Sequence, residues 1–481
     1  MRDLLELTAL EAHEAMVAGD LGAEEYTAAW REAAAGDELN AYLWRDEGGE
    51  EAAAIAVKRD CVAPIAVKDI FTTEGVPTTA GSRILEGYRP PYTSTAVRKL
   101  LEAGAPVLGK TNMDEFAMGS SNENSAYGPV LNPWDRERVP GGSSGGSAAV
   151  VAGGLAPWAI GTDTGGSIRQ PAAFCGIVGL KPTYGAISRY GMIAFASSLD
   201  QCGPLTRTVS DAALLLGILQ GKDPCDSTSV GIDGGIALPG REDLSGLRFG
   251  VPAELRGDDY DSGVRSVFEG TLRKIEDLGG EIAEVSLPSS EHGISAYYVI
   301  APAEASANLA RFDGVRYGLR ESNGDLTQMY ERTRAAGFGD EVKRRIMLGT
   351  YALSSGYYEA YYGRAQRVRT RIAEDFSGAF ADVDFVVTPT APSVAFELGE
   401  KTDDPLSMYL NDFFTVPMSL AGIPAISIPA GLAEPEGGGP RLPVGFQIAS
   451  PAFSEQKLLD AAYALEQGIG FEARPGGAAD G

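Results

Sequence analysis

Apolar and polar positions follow two different patterns along the chain, and the change falls near residue 63. Residues 3–35 carry apolar side chains at helical spacing and predict two amphipathic helices joined at residues 19–22. From residue 63 onwards, short apolar runs separated by Gly, Pro, Ser and Thr predict strands, with helical segments between them. The predicted strands cover residues 64–68, 105–108, 157–160, 177–180, 385–388 and 425–428.

Strands that alternate with helices predict an α/β fold in which a mixed central sheet is covered by helices. The pattern becomes more helical over about 260–380, and strands return after it. We therefore expect N-terminal helices in residues 1–50, a single domain over 51–470 with a helical insertion at about 260–380, and a frayed tail at 471–481.

Charge and composition narrow the possible functions. The 481 residues include 66 Asp+Glu and 40 Lys+Arg, which gives a formal net charge of −26. This balance argues against a free-standing nucleic-acid surface, which needs clustered Lys and Arg. The acidic excess fits either a protein of a salty cytoplasm or an ordinary acidic bacterial protein.

Cysteine usage and hydropathy indicate the cellular compartment in which the protein is found. The four cysteines form no CxxC pair and no metal-ligand spacing, so we expect reduced thiols and no metal site. No signal-peptide pattern is visible in residues 1–20, and the longest apolar run, 148–160, is too short to span a bilayer. We expect a cytoplasmic protein without membrane contact.

Histidine is scarce. A histidine-dependent catalytic triad or zinc site would have to use His13 or His292, the only two in the chain. His13 lies among acidic residues of a predicted surface helix, and His292 lies in a predicted loop. If the protein is an enzyme, we expect another residue type to move its protons.

Two motif matches conflict with their surroundings. Residues 104–111 match the phosphate loop GxxxxGK[ST], but the intervening Ala-Pro-Val-Leu predicts a strand, and proline removes an N–H donor. Residues 141–147 match GxSxG around Ser143, but a polar, proline-ended stretch stands where a nucleophile elbow needs a strand. A nucleotide-binding module is therefore the weakest alternative, and we interpret 141–147 as a packed loop that presents two hydroxyls.

A third motif, GTDTGGSIRQ at residues 161–170, lies between a predicted strand and a predicted helix. Glycines permit positive φ angles, so consecutive N–H groups here can converge on one oxygen atom and form an oxyanion hole. Ser167, at the predicted helix start, is placed as a nucleophile; a simple helix cap would not need two glycines before it. The predicted oxyanion-hole residues are Thr164, Gly165, Gly166 and Ser167.

Lys68 ends the apolar run 64–68. Burial there would lower its pKa and provide a neutral amine that can act as a base. The alternative is a lysine that reaches solvent at the strand end beside Asp69. Together with Ser167, a buried Lys68 predicts a serine nucleophile activated by lysine, without histidine.

Lys68, Ser143 within GGSSGGS and Ser167 within GTDTGGSIRQPA resemble the Ser-Ser-Lys triad of the amidase signature family, at matching separations of 75 and 24 positions. The resemblance spans roughly residues 55–460. It implies the amidase-signature fold, with Ser167 as nucleophile and Lys68 as the base that deprotonates Ser143. Ser143 would be the bridging serine, preceded by a cis peptide bond.

Further stretches resemble the branch of this family that hydrolyses glutamine within tRNA-dependent amidotransferases: 111–119, 304–309, 343–350, 356–362 and 404–412. That resemblance implies that Tyr298, Arg345 and Asp412 bind free glutamine. It also implies a heterotrimer with B and C subunits. In such a complex the B subunit uses ATP and magnesium, and misacylated Glu-tRNA(Gln) or Asp-tRNA(Asn) is held mainly by the partner. This chain would hold no cofactor. A stand-alone amidase of the same family, acting on small amides, is the nearest alternative.

Overall fold

An eleven-stranded mixed sheet organises the computed structural model, which describes residues 4–48, 62–255, 260–322 and 324–476. The strands are β1 Tyr42–Arg45, β2 Ile65–Lys68, β3 Val107–Thr111, β4 Trp158–Asp163, β5 Val178–Lys181, β6 Gln201–Thr206, β7 Arg248–Pro252, β8 Glu281–Val285, β9 Phe385–Pro389, β10 Ala425–Ala433 and β11 Leu442–Ala449. Their order across the sheet is β1-β3-β2-β4-β6-β5-β10-β11-β9-β7-β8.

Parallel pairing occurs in two groups of strands. β2 lies parallel to both β3 and β4, and β7 lies parallel to both β8 and β9. Antiparallel pairs connect the two groups and add β1 at one edge. Every residue of β2, β3, β4, β5 and β9 is buried, as expected for strands covered on both faces.

Helices pack around this sheet. They are α1 Ala9–Ala18, α2 Ala23–Ala35, α3 Thr95–Glu102, α4 Gly145–Ala152, α5 Arg169–Cys175, α6 Val209–Leu219, α7 Ser262–Asp277, α8 Gly293–Asn308, α9 Leu326–Gly337, α10 Asp340–Leu353, α11 Arg364–Ala379, α12 Pro405–Tyr409, α13 Val416–Ala421 and α14 Glu455–Ile469. The predicted α/β fold, a mixed sheet covered by helices, is confirmed. No helix among the described residues is long and apolar enough to cross a membrane.

The segment 260–380 is less purely helical than predicted, because β8 lies within it and extends the sheet beside β7. The sequence of β8, Glu-Ile-Ala-Glu-Val, is only partly buried, as is usual for an edge strand. Because its sequence mixes polar and apolar residues, a search for apolar runs does not find it. The rest of the segment is formed mainly by α7 to α11.

The N-terminal residues pack against the sheet. Beyond α1 and α2, residues 1–50 include β1, which pairs with β3. Trp30 on α2 is fully buried, and the Arg207 guanidinium lies 5.7 Å from the centre of its indole ring. The division at residue 51 lies outside the described residues and stays a prediction.

The tail predicted to fray is described as far as residue 476. Within it, the ring of Phe471 lies 6.4 Å from that of Trp134, and Arg474 pairs with Glu6. Residues 477–481 lie outside the described part of the chain.

Adjacent parallel strands locate the candidate site. In the β2–β4 pair, Val67 lies opposite Ile160, so β4 ends two residues beyond β2 at the same edge of the sheet. Lys68 is the last residue of β2, and the turn that carries Ser167 follows β4. Sites of α/β proteins commonly form beyond the carboxyl ends of such strands.

Candidate active site

Lys68 is fully buried and bonded to three hydroxyl groups. Its Nζ donates to Ser143 Oγ at 2.8 Å, to Ser144 Oγ at 2.8 Å and to Thr162 Oγ1 at 2.9 Å. Burial lowers the pKa of Lys68 to about 7, against the opposing effect of nearby carboxylates. A neutral amine is therefore accessible near neutral pH, and the alternative of a solvent-reaching lysine is wrong.

Ser143 lies in a tightly packed turn that leads into α4. The peptide bond between Gly142 and Ser143 is cis, as the resemblance implies. A Cβ added at Gly142 would lie 2.1 Å from Asp114 Oδ2, and the Gly142 N–H donates to Gln170 Oε1 at 2.9 Å. No strand immediately precedes Ser143, so the turn is a packed loop and not a nucleophile elbow.

Ser167 lies in the turn between β4 and α5. Gly166 has a φ of +143°, and a Cβ there would lie 2.2 Å from Thr415 Oγ1, so only glycine fits. The N–H groups of Gly165, Gly166 and Ser167 have no acceptor among the described residues and remain available to a developing oxyanion. The Ser167 carbonyl accepts a hydrogen bond from the Ser144 N–H at 3.2 Å, which joins the two serine turns.

A buried ion pair holds the Ser167 turn in place. Arg169 Nε and Nη2 each donate to the Asp163 carboxylate at 2.9 Å, and neither side chain is exposed. Burial raises the pKa of Asp163, but the facing Arg169 more than offsets this and lowers it overall, so the pair is ionised. Arg169 Nη1 also donates to the Thr415 carbonyl at 3.0 Å, and Thr415 Oγ1 donates to the Gly165 carbonyl at 2.6 Å.

Arg345, on α10, lies inside a shell of aromatic rings. Its side chain is 3% exposed, and the guanidinium carbon is 5.2 Å from the ring centre of Tyr298 and 5.6 Å from those of Tyr409 and Phe195. Arg345 Nε donates to Glu341 Oε1 at 2.7 Å. The faces of the aromatic rings offer no acceptor oxygen to the other guanidinium N–H groups, and these suit a planar carboxylate.

Asp412 ends a 3₁₀ turn, Leu410–Asp412, and is 6% exposed. Its Oδ2 accepts a hydrogen bond from Ser120 Oγ at 2.7 Å, and burial raises its pKa to about 7. The Asp412 carbonyl accepts a hydrogen bond from Thr415 Oγ1 at 3.2 Å, the same hydroxyl that contacts the Gly165 carbonyl. Asp412 is therefore connected to the oxyanion turn through one residue.

Tyr298, on α8, connects the same two regions. Its ring stacks on Tyr409 at 3.7 Å and meets that of Tyr297 edge-on at 5.0 Å. Tyr297 packs so closely on Gly165 that a Cβ there would lie 2.7 Å from the ring. The structure thus places the six predicted residues in two linked groups. In the first, Lys68 bonds to Ser143, and the Ser167 turn is joined to the Ser143 turn through the Ser144 N–H. The second contains Tyr298, Arg345 and Asp412.

The rejected motifs have structural roles. In residues 104–111, β3 begins at Val107, and Lys110 is fully buried with its Nζ 3.0 Å from Asp69 Oδ1 and 2.9 Å from the Phe71 carbonyl. This segment is a strand and not a phosphate loop. His292 is exposed and pairs with Glu291, away from Lys68.

Several residues of the site escaped sequence reasoning. Ser144 and Thr162 bond to Lys68, and both stand within the motifs that carry Ser143 and Ser167, so the motifs could have suggested them. Tyr409 lies within the resembling stretch 404–412, which could have suggested it, whereas Phe195 reaches Arg345 from a distant segment without any local signal.

Comparison with known proteins agrees with this geometry. A family model described as Amidase matches residues 32–459, most of the chain. The chain belongs to the amidase family. This amidase is 57% identical to the A subunit of the glutamyl-tRNA(Gln) amidotransferase of Rubrobacter xylanophilus, over 98% of this chain and 99% of that protein.

Solved structures of two kinds resemble this amidase. The crystal structure of the A subunit of glutamyl-tRNA(Gln) amidotransferase from Thermotoga maritima is 42% identical, with a TM-score of 0.80 over 97% of this chain and 96% of that one. The native peptide amidase from Stenotrophomonas maltophilia is 31% identical, with a TM-score of 0.79 over 98% of each chain. The fold therefore occurs both in part of an amidotransferase and in a peptide amidase, so the site must distinguish the two functions.

Proposed function

We propose that this amidase is the glutaminase subunit of a tRNA-dependent amidotransferase. It hydrolyses glutamine and supplies ammonia for the conversion of Glu-tRNA(Gln) to Gln-tRNA(Gln), of Asp-tRNA(Asn) to Asn-tRNA(Asn), or of both. The observation that carries the proposal is the buried Arg345, with Asp412 nearby, at a site that also holds a Ser-Lys catalytic group. The names of the relatives above support the amidotransferase assignment.

The site selects a free amino acid through charge. Glutamine carries an α-carboxylate and an α-ammonium, and a buried pocket needs a counter-charge for each. Arg345 offers a planar donor set for the carboxylate, while Asp412 holds the ammonium and Tyr298 orients the substrate. An uncharged amide would give neither the free guanidinium N–H groups of Arg345 nor the Asp412 carboxylate a charged group to bind.

Catalysis begins when Ser167 Oγ attacks the side-chain amide carbon of glutamine. Neutral Lys68 takes a proton from Ser143, which in turn takes the proton of Ser167. The amide oxygen becomes an oxyanion and is stabilised by the N–H groups of residues 164–167. The proton then returns through Ser143 to the leaving nitrogen, the carbon–nitrogen bond breaks, and ammonia and a glutamyl ester on Ser167 remain.

Water completes the cycle. It attacks the glutamyl ester while Ser143 and Lys68 accept its proton, and they pass that proton to Ser167 Oγ as the ester bond breaks, which releases glutamate and free Ser167. Since Lys68 also bonds to Ser144 and Thr162, its amine stays directed at Ser143 through both half-reactions.

The remaining steps take place on partner subunits. Ammonia passes to a B subunit, which uses ATP and magnesium to activate the tRNA-linked carboxylate, and a C subunit completes the heterotrimer in the cytoplasm. This chain needs no cofactor for its own step and contacts tRNA mainly through the partner. Its net charge of −26 supports that division of work, because a polyanion is poorly suited to bind RNA alone.

Two charge-removing variants test the proposal. Arg345→Ala and Asp412→Asn should each lower kcat/KM for glutamine more than tenfold, since removing one partner of a buried charge contact costs roughly 2–5 kcal/mol. Hydrolysis of propionamide, which has neither charge, should change much less. Released ammonia is the measurement for both substrates.

The same assay identifies the rival function. Wild-type protein that hydrolyses propionamide as well as glutamine, with neither substrate affected by the two variants, would indicate a stand-alone amidase. Adding the partner subunits, ATP and separately charged Glu-tRNA(Gln) or Asp-tRNA(Asn) then determines which product is made.

A further inference from the structure

A cavity with a volume of about 840 Å³ lies outside the candidate active site. Its walls are formed by residues from 85–92, 189–194 and 308–318, together with Thr72. Among the described residues that line it, none belongs to the six predicted for catalysis and glutamine binding. Small organic ligands commonly occupy cavities of roughly 300–1,000 Å³, so this one has the size of a ligand site.

Four tyrosines line the cavity, and they form two contacting pairs. The ring centres of Tyr88 and Tyr317 are 5.4 Å apart at an interplanar angle of 43°, and those of Tyr92 and Tyr190 are 5.5 Å apart at 42°. Tyr92 and Tyr190 are 39% and 41% exposed, so their rings remain accessible. Aromatic ring faces bind planar ligands by stacking, and every nucleobase has such a face. The tyrosines therefore favour a ligand that contains a planar ring.

Arginine gives the cavity a positive charge. Four arginines and one acidic residue, Glu86, line it, whereas acidic residues outnumber basic ones by 66 to 40 in the whole chain. Two of the four are held by the protein itself: Arg89 donates to the Gly75 carbonyl, and Arg189 Nε lies 3.8 Å from Asp226 Oδ2. The other two arginines are therefore the ones that can bind a ligand.

Arg311 and Arg316 keep donor groups available. Both residues are exposed. Arg311 Nε donates to the Asn308 carbonyl at 2.9 Å, but neither its terminal nitrogens nor the Arg316 guanidinium has a hydrogen-bond or ion-pair partner among the described residues. A planar guanidinium binds two oxygen atoms of a phosphate group at once. The two arginines therefore favour a ligand that carries a phosphate.

The walls of the cavity are held in place by hydrogen bonds. The Ile193 N–H donates to the Ile70 carbonyl at 3.0 Å, and Asn308 Nδ2 donates to the Phe195 carbonyl at 3.1 Å. A wall fixed in this way does not have to be ordered when a ligand binds, which favours binding. The Phe195 ring centre also lies 5.6 Å from the Arg345 guanidinium carbon, so a ligand in the cavity would lie next to a segment that contacts the glutamine site.

We propose that this cavity binds a nucleotide, with the base against the tyrosines and a phosphate on Arg311 and Arg316. A carboxylate ligand would leave the ring faces unused, and an uncharged aromatic ligand would leave both guanidinium groups without a partner. The inference goes beyond the proposed function and does not depend on it, and the site is separate from the strand within 104–111. The same chemistry belongs to a free nucleotide and to the terminal nucleotide of a single RNA strand, and the experiment distinguishes these two sources.

Ligands that carry only part of a nucleotide test the proposal. AMP should bind the full-length chain with a Kd below about 1 mM in calorimetry, and adenosine or ribose 5-phosphate at least about tenfold more weakly, because each lacks one of the two recognised groups. A single-stranded RNA trinucleotide is then added in competition with AMP. Displacement of AMP at similar concentrations identifies the end of an RNA strand as a ligand, and AMP binding without displacement identifies a free nucleotide.

Variants assign the binding to the named side chains. Arg311→Ala combined with Arg316→Ala should bind AMP no more tightly than adenosine, since the phosphate contacts are gone. Tyr190→Ala should weaken the binding of AMP and of adenosine by the same factor, about threefold or more, because it removes a stacking surface. Arg371→Ala and Tyr358→Ala are matched controls outside the cavity, 74% and 45% exposed, and should bind AMP within about twofold of wild type. Thermal unfolding of each variant verifies its fold.

Hydrogen exchange on the wild-type chain avoids any folding defect of the variants. Exchange in residues 189–194 and 308–318 should slow when AMP binds. The inference would be overturned if AMP failed to bind with a Kd below about 1 mM, or if it bound both cavity variants as tightly as wild type. Slower exchange elsewhere, with no change in these two segments, would equally overturn it. Glutamine is absent from all of these measurements, so a failure of the proposed function would not alter their outcome.

Discussion

Lys68 and Asp412 are both expected to act without their protons, and burial gives each a pKa near 7. Lys68 must be neutral to accept a proton, and Asp412 must be ionised to hold the ammonium of glutamine. The deprotonated fraction of each group increases as the pH rises. Below about pH 6, log kcat/KM for glutamine should therefore climb with a slope of about 2, and for an uncharged amide, which needs only Lys68, with a slope of about 1.

Initial rates at limiting substrate between about pH 5 and 8 measure these slopes. The control is Asp412→Asn, which should bring the slope for glutamine down to that of the uncharged amide while lowering the rate. A single shared slope for both substrates in the wild-type protein would argue against an ionised Asp412 in binding.

The triad makes a separate prediction. Ser167→Ala and Lys68→Ala should abolish glutamine hydrolysis, and Ser143→Ala should reduce it by about 10²–10⁴-fold, the usual contribution of a proton-transfer group. Mass spectrometry should detect a glutamyl adduct on wild-type protein and none on Ser167→Ala. His292→Ala is the control, because this exposed side chain pairs with Glu291, away from Lys68, and should leave activity unchanged.

The residues of the candidate site that lie within one short motif could be predicted from the sequence. The Gly-rich stretches around Ser143 and Ser167 predict tight turns, and the structure contains both, with free N–H groups in the Ser167 turn. Arg345 and Asp412 depended on family resemblance, since an arginine in a basic helix carries no sign of burial. Phe195 could not be predicted, because only the folded chain brings it to Arg345, whereas Tyr409 lies in the resembling stretch 404–412.

At the scale of elements, the contact between α8 and α10 sets the position of Arg345 relative to Tyr298. Gly349→Ala would force a Cβ to within 1.9 Å of the Pro302 carbonyl, which is backbone and cannot turn aside. The helices must separate, at a cost of about 1–3 kcal/mol for such overpacking. We expect a higher KM for glutamine and a lower Tm, with kcat less affected because Lys68 lies on another element.

Gly378→Ala on α11 is the matched control. A Cβ there meets nothing within 4 Å, so this variant should keep the wild-type KM and gain up to about 1 kcal/mol of helix stability. Steady-state kinetics and thermal unfolding of both variants provide the comparison. An unchanged KM in Gly349→Ala would show that α10 is not what positions glutamine.

All six predicted strands overlap observed ones, because a strand covered on both faces is largely apolar. Five strands were missed. β1 and β8 are edge strands, and partial exposure leaves polar residues within them. β6, β7 and β11 are mostly or wholly buried, but Gly, Pro and polar residues interrupt their apolar runs. The phosphate-loop interpretation of 104–111 was rejected correctly, since a sequence that matches the motif can still form a strand.

For the molecule as a whole, the sequence indicated an α/β protein, but the order of eleven strands depends on long-range pairing that local patterns do not encode. Residues 42–45 pair with 109–111, and 179–181 pair with 425–427. The described N-terminal residues are tied to the rest by similar long-range contacts: the Leu10 N–H donates to Asp211 Oδ1 at 2.8 Å, and Arg207 donates to the Leu5 carbonyl at 2.9 Å.

The net charge of the chain determines how its thermal stability depends on salt. At −26, the folded chain repels itself, and unfolding relieves part of that repulsion by separating the charges. Raising KCl from about 0.1 to 1 M shortens the screening length from about 10 to 3 Å, so repulsion between surface carboxylates falls. Exposed ion pairs such as Arg98–Glu102 and Arg371–Glu374 weaken too, but each contributes only about 0–1 kcal/mol. Tm should therefore rise with salt, equally in NaCl and KCl. A falling Tm would mean that ion pairs outweigh the acidic excess.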